Sequence, residues 1–146
     1  MCSGKESCLF LLDPMPGADR PAREHLRPWL VEQGLVEDEV HDVLTAVTEA
    51  VCGVTNAERR EGRGEPVQVS AVIEADTYGA LGVALRVVDQ GTMPLARGTV
   101  SHLVDYGQTM MRAAMDEVTT TSDPHGGTVI AMRTRPLLRR RPGTAC

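Results

Sequence analysis

A domain of mixed α and β structure is what this sequence predicts, and three observations carry that reading. The first is size: 146 residues, 42% hydrophobic and 24% charged, make one domain of ordinary size with a core that needs no staples. The second is a stripe of aliphatic residues, Val40, Val43, Leu44, Val47, Val51 and Val54, spaced as one face of an α-helix. The third is a pair of Val-rich runs after that stripe, 66–75 and 82–89, which read as strands.

In chain order, the apolar run from Cys8 to Leu12 is a short strand, ended by Asp13-Pro14 and Pro16-Gly17. A helix follows, with Asp19 as N-cap, Pro21 in its first turn, and Ala22, Leu26, Leu30 and Val31 on one face; Gly34 stops it. Pro28 should kink this helix. The striped second helix ends by Gly62-Arg63-Gly64. The two Val-rich strands are joined through Asp76-Thr77-Tyr78-Gly79 as a hairpin. Residues 90–106 have no sustained period and contain Gly91, Pro94 and Gly98, the composition of a long functional loop. Met110, Met111, Ala114, Met115 and Val118 then fall at helical spacing and read as core. The run from Glu117 to Thr121, a turn over 123–127, and the run from Thr128 to Thr134 form a closing hairpin. The expected division is one domain over 1–135 and a basic tail over 136–146, where Arg139, Arg140 and Arg141 are either a solvated, disordered end or a contact for a partner or nucleic acid.

The formal charge of −5 argues against direct nucleic-acid binding, which requires a basic face. Cys2, Cys8, Cys52 and Cys146 have neither metal-ligand nor CxxC spacing, and suggest no secreted disulfide framework. His25, His41, His102 and His125 form no cluster. No run approaches a membrane span, and the run from Cys8 to Leu12 is too short for a signal-peptide core, so a cytoplasmic protein is expected.

On the second helix, Glu49, Gly53 and Asn56 lie opposite the aliphatic stripe, with Thr45, Thr48 and Cys52 beside them. By periodicity alone, a solvated helix surface looks the same. Asp89-Gln90-Gly91 ends a strand, where a carboxylate is held rigidly and the glycine lets a ligand approach the backbone. Gly107 opens a helix after the long loop and supplies free N–H groups suited to phosphate. Gly126-Gly127-Thr128 begins the last strand, and is also an ordinary hairpin turn.

Taken in order, "REHLRPWLVEQGLVEDEVHDVLTAVTEAV", "LRVVDQG", "GQTMMRAAMDEV" and "GGTVIAM" resemble the SpoIIAB/RsbW-like anti-sigma-factor serine kinases of the GHKL ATPase superfamily. The resemblance covers Cys8 to Arg135. It implies the Bergerat ATP-binding fold, an α+β two-layer sandwich whose mixed, mostly antiparallel sheet is covered on one face by helices, with ATP and Mg²⁺ between the layers. It implies that Glu49 is the general base toward a partner's serine hydroxyl. Asp89 would accept a hydrogen bond from the adenine amino group, beside Gly91. Gly107, with Gln108 next to it, would close the phosphate box, and Thr128 would lie near the base. The implied partners are a sigma factor and an anti-sigma-factor antagonist, with a homodimer as the possible assembly.

The sequence departs from that family at informative positions. An Asn that holds Mg²⁺ is expected one turn after the Glu, and Gly53 stands there. Asn56 shares the face but lies about 10 Å along the helix from Glu49 rather than about 6 Å, which leaves it a weak metal candidate. Asp105 adds negative charge beside the phosphate box. Two readings follow: an ATP-dependent serine/threonine protein kinase, or a non-catalytic partner-binding module of the same fold that controls a sigma factor.

Overall fold

The computed structural model describes residues 6–61, 65–89, 109–122 and 127–138. Its elements are β1 (Ser7–Leu12), α1 (Asp19–Glu32), α2 (Glu37–Glu61), β2 (Val67–Ala75), β3 (Leu81–Asp89), β4 (Glu117–Ser122) and β5 (Thr128–Arg133). Among the described residues, 109–114 are helical and precede β4. The strands form one sheet in the order β1-β2-β3-β5-β4. All four described pairings are antiparallel, so the expected mostly antiparallel sheet is present.

Alternation along the strands makes the second layer possible. Cys8, Phe10 and Leu12 of β1, Val67, Val69, Ala71 and Ile73 of β2, Val83, Leu85 and Val87 of β3, and Ile130 and Met132 of β5 are buried in one core. The intervening side chains point to the other face, where Leu9 and Leu11 are exposed and Gln68, Ser70, Ala84, Val88, Val129 and Ala131 are half-buried. Helices cover the core face: α1 packs on β1 and on α2, and α2 packs on β3 and β2. The whole α2 stripe from Val40 to Val54 is buried in that core. Each of those side chains contributes about 1.5 to 3 kcal/mol relative to exposure.

Several local expectations change. Asp19 is the first helical residue and not the cap. Ala18 holds the cap position without a side-chain hydrogen bond. On α1 the buried face runs through Ala22, Leu26, Trp29 and Leu30, and Val31, about 100° further round the helix from Leu30, is 60% exposed. Pro28 lies within α1, which runs unbroken from Asp19 to Glu32. The helix expected to reach Val118 ends at residue 114, and Val118 belongs to β4. Of its methionines, Met111 and Met115 are buried and Met110 is exposed. Cys8 is disulfide-bonded, against the expectation for these cysteines, and Cys52 is free.

Two turns form as the sequence implied. Gly34 follows the end of α1 in the α1–α2 turn at φ 86°, and Gly79 turns the β2–β3 hairpin at φ 82°, conformations that favour glycine. Asp76 tightens the second turn, since its Oδ1 accepts from Tyr78 N–H at 2.8 Å and Ala80 N–H at 2.9 Å.

Candidate functional site

Aliphatic residues fill the core face of β3 until its last position. Val83, Leu85 and Val87 give way there to Asp89, which is only 2% exposed. Next door, β5 runs antiparallel to β3 with Val88 opposite Val129. Continuing that register by one residue sets Asp89 opposite Thr128, and directly opposed side chains have Cβ atoms about 5 Å apart. Thr128 is also 2% exposed. Its hydroxyl is buried without a hydrogen-bond partner among the described residues.

This pair is the unusual feature of the sheet. A buried hydroxyl left unsatisfied costs about 1 to 3 kcal/mol. Such a group is expected where a ligand completes the hydrogen bonding. Asp89 is not itself unpartnered, since it takes part in an interaction within the fold. A ligand with both donor and acceptor edges, such as a nucleobase, suits a carboxylate and a hydroxyl set side by side at the end of an apolar sheet.

The second half of the candidate site is on α2. Glu49 and Gly53 are half-buried and Asn56 is exposed, so the face opposite the stripe is partly exposed. A Cβ built on Gly53 would meet nothing within 4 Å. The glycine is therefore not demanded by packing. Glu49 and Asn56 are seven residues apart, about 10 Å along the axis. Gly53, between them, offers no side-chain oxygen. Among the described residues no group of three or more His, Cys, Asp or Glu could hold a metal ion. The donor set on α2 does not fit a side-chain ligand for Mg²⁺ at the expected place. Gly91, Gly107 and Gln108 lie outside the described residues, as does the 90–106 loop.

A network that periodicity does not reveal borders Glu49. Arg23 of α1 donates to Thr48 Oγ1 at 3.1 Å and pairs with Asp19 one turn earlier. Burial pushes the Cys52 thiol above its ordinary value. The negative charges of Asp19 and Glu49 and a hydrogen bond with Asp19 add to that rise, and Arg23 opposes it. The spacing of Asp19 and Arg23, one helical turn, is visible in the sequence. Their meeting with Thr48 and Cys52 is not, because it crosses the seam between two helices.

One concavity of about 180 Å³ is lined by Glu39, Asp42, Ala114, Thr134, Arg135, Pro136 and Leu137. It lies at the far end of β5 from Thr128, roughly 20 Å away at strand rise, and is separate from the Asp89–Thr128 pair.

An antiparallel sheet layered under helices is the architecture of the GHKL ATPase class. Residues 14–134 match the histidine kinase-like ATPase domain, and the chain belongs to that family. Among solved structures it is similar to the RsbU and RsbW domains of Rv1364c from Mycobacterium tuberculosis, at 23% identity and a TM-score of 0.69, over 94% of this chain and 34% of that one. The chain thus spans about a third of that relative. It is also similar to a chain of the SiaB–SiaC complex from Pseudomonas aeruginosa, at 12% identity and a TM-score of 0.62, over 86% of this chain and 88% of that one. No curated protein matches this sequence. No helix among the described residues is long and apolar enough to cross a membrane.

Proposed function

We propose that this chain is an ATP-binding regulatory protein of the anti-sigma-factor type, a serine/threonine protein kinase that phosphorylates an anti-sigma-factor antagonist. The observation that carries the reading is the buried Thr128 hydroxyl without a partner beside the buried Asp89 carboxylate. Asp89 would accept from the adenine amino group, and Thr128 would complete its hydrogen bonding on the same base. ATP, when bound, supplies the phosphoryl group. Glu49, half-buried on α2, would accept the proton of the acceptor hydroxyl, and Gly91, Gly107 and Gln108 would line the phosphate side. Phosphoryl transfer rests mainly on positioning and charge stabilisation, so a small domain suffices for it. Membership in the ATPase family and likeness to an RsbW domain and to a two-protein complex support a protein partner; a sigma factor as the second target and a homodimer as the working assembly are part of the proposal.

A second reading is favoured by Gly53: a partner-binding module that retains nucleotide and has lost transfer. Without a side-chain oxygen at that position, a magnesium ion would rely on phosphate oxygens and water, which it accepts readily. Calorimetric titration with ATP, with and without Mg²⁺, tests the common part of both readings, and labelled ATP with an antagonist protein separates them. Saturable ATP binding with label transfer supports the kinase. Binding without transfer supports the module, and no binding at all removes both.

A further inference from the structure

The concavity at the far end of β5 from Thr128 is walled by three parts of the chain. Glu39 and Asp42 come from the first turns of α2, Ala114 is the last of the helical residues 109–114, and the segment after β5 supplies Thr134 and Arg135. Hydrogen bonds fasten these walls to the rest of the fold. Thr134 N–H donates to Val83 O at 3.0 Å, and Leu137 N–H donates to Leu81 O at 2.8 Å. Leu138 N–H donates to Glu39 Oε2 at 2.9 Å, while Glu39 Oε1 accepts from Val36 N–H at 2.9 Å. The Arg135 guanidinium donates to Ala113 O at 3.1 Å and to Ala114 O at 3.4 Å, and so caps carbonyls that a helix end leaves without an intrahelical partner. The concavity is therefore preformed, as ligand sites usually are.

Its walls leave donors and an acceptor unused. Thr134 is 6% exposed. Its Oγ1 accepts from Val83 N–H at 2.9 Å, and among the described residues its hydroxyl proton has no acceptor. Arg135, next to it in the chain, uses part of its guanidinium fork on the two carbonyls and keeps further N–H donors. Asp42 is half-buried and has no hydrogen-bond or ion-pair partner among the described residues. Arg135 and Asp42 line one cavity, yet no ion pair joins them. Pro136 and Leu137 add apolar surface to the lining.

We propose that this cavity binds a small zwitterion, an α-amino acid with a short aliphatic side chain. The ammonium pairs with Asp42, the carboxylate accepts from the Thr134 hydroxyl and the Arg135 guanidinium, and the side chain covers the apolar lining. A ligand with a single charge satisfies one set of groups and leaves the other unmet. Charge-assisted hydrogen bonds at both ends are of the stronger kind. Size sets the upper limit. A cavity of about 150 Å³ holds benzene, so one of about 180 Å³ takes alanine or valine and excludes a nucleotide. Asp89, Thr128 and Glu49 form no part of the cavity, and the proposal is independent of the ATP-binding reading.

The test is a titration of the isotopically labelled full chain with L-alanine and L-valine, followed by backbone amide chemical shifts. Saturable shifts are expected at Asp42, Ala114, Thr134 and Arg135, with a dissociation constant of about 1 mM from the affinity that small ligands reach per heavy atom. Propionate, which lacks the ammonium, and ethylamine, which lacks the carboxylate, should each bind at least about tenfold more weakly, the equivalent of one charge-assisted hydrogen bond. Asp42→Asn should lose about tenfold for L-alanine and nothing for propionate. The absence of saturable shifts with both amino acids overturns the proposal, and so do shifts centred away from these four residues. Propionate or ethylamine binding as tightly as L-alanine overturns it too, as does unchanged L-alanine affinity in Asp42→Asn. If that variant does not fold, Arg135→Gln takes its place, with ethylamine as the ligand whose binding should not change, and unchanged L-alanine affinity again overturns the proposal.

Discussion

The two halves of the candidate site are built on different principles. Asp89 and Thr128 are each 2% exposed and sit on adjacent strands of a hydrogen-bonded sheet. Glu49, Gly53 and Asn56 lie along a partly exposed helix face, and a Cβ at Gly53 would touch nothing within 4 Å. On the sheet, a polar group must be satisfied, because burial makes an unmet hydrogen bond costly. On the helix face, water satisfies whatever the ligand does not. Under the proposed reading, base recognition would therefore be constrained by the fold, whereas residues on the α2 face could change one at a time with little loss of stability. Gly53 in place of an Asn is a change of the second kind.

The largest expected effect is on the helix side, in chemistry and not in folding. Glu49→Ala should remain folded, within about 0.5 kcal/mol of wild type as expected for a position off the packing stripe. It should lower transfer from labelled ATP to the antagonist by about 10²- to 10⁴-fold, the usual contribution of a general base. Transfer at the wild-type rate would assign the base elsewhere.

On the sheet side, Asp89→Asn should weaken ATP binding by about 1.5 to 3 kcal/mol, the range for a hydrogen bond to a charged group. Calorimetry on the folded variant reads this directly, and equal affinity would detach the sheet end from adenine recognition. Thr128→Val separates ligand from fold with opposite signs. Removing an unsatisfied buried hydroxyl should raise the stability of the free protein by about 1 kcal/mol, and should cost about 0.5 to 1.5 kcal/mol of ATP affinity. Denaturant melts with and without ATP would show both. A loss of stability in the free protein would mean that the hydroxyl is satisfied there.

Gly53→Asn probes how freely the helix face can change. Asparagine is better than glycine in a helix interior by a few tenths of a kcal/mol, and open space surrounds the new Cβ, so stability should hold or rise slightly. If only the metal ligand has been lost, the variant should gain Mg²⁺-dependent ATP affinity. Identical titrations with and without Mg²⁺ would put Gly53 outside the metal site.

The smallest effect concerns Cys52, whose thiol is held above its ordinary value first by burial and then by the charges of Asp19 and Glu49. A raised folded value favours the protonated thiol. Its contribution to stability is present below the ordinary thiol range and is lost as pH rises through the folded value. Cys52→Ala should accordingly show a flatter decline in stability above about pH 8.5. Glu49→Gln removes one of the raising charges, so peptide-resolved alkylation of Cys52 should shift to lower pH in that variant. An unshifted profile would place the Glu49 carboxylate out of reach of the thiol.

By itself the sequence determined the elements and their order, because helix and strand periodicities are local properties. The α2 stripe, the two Val-rich strands, the glycine stop at Gly34 and the Asp76 turn could all be read directly. The motif order from Glu49 through Asp89 and Gly107 to Thr128 also pointed to the ATPase family. Other features depended on contacts between segments distant in the chain. Asp89 and Thr128 are about forty residues apart in sequence, and only the β3–β5 register makes them neighbours. The burial of Trp29 in place of Val31, the meeting of Arg23 with Thr48, and the capping of Ala113 and Ala114 by Arg135 were likewise decided in tertiary structure. Periodicity tells a residue which side of its own element it occupies. Which residue of another element it meets there is set by layer packing and strand order, and these arise only when the whole core closes.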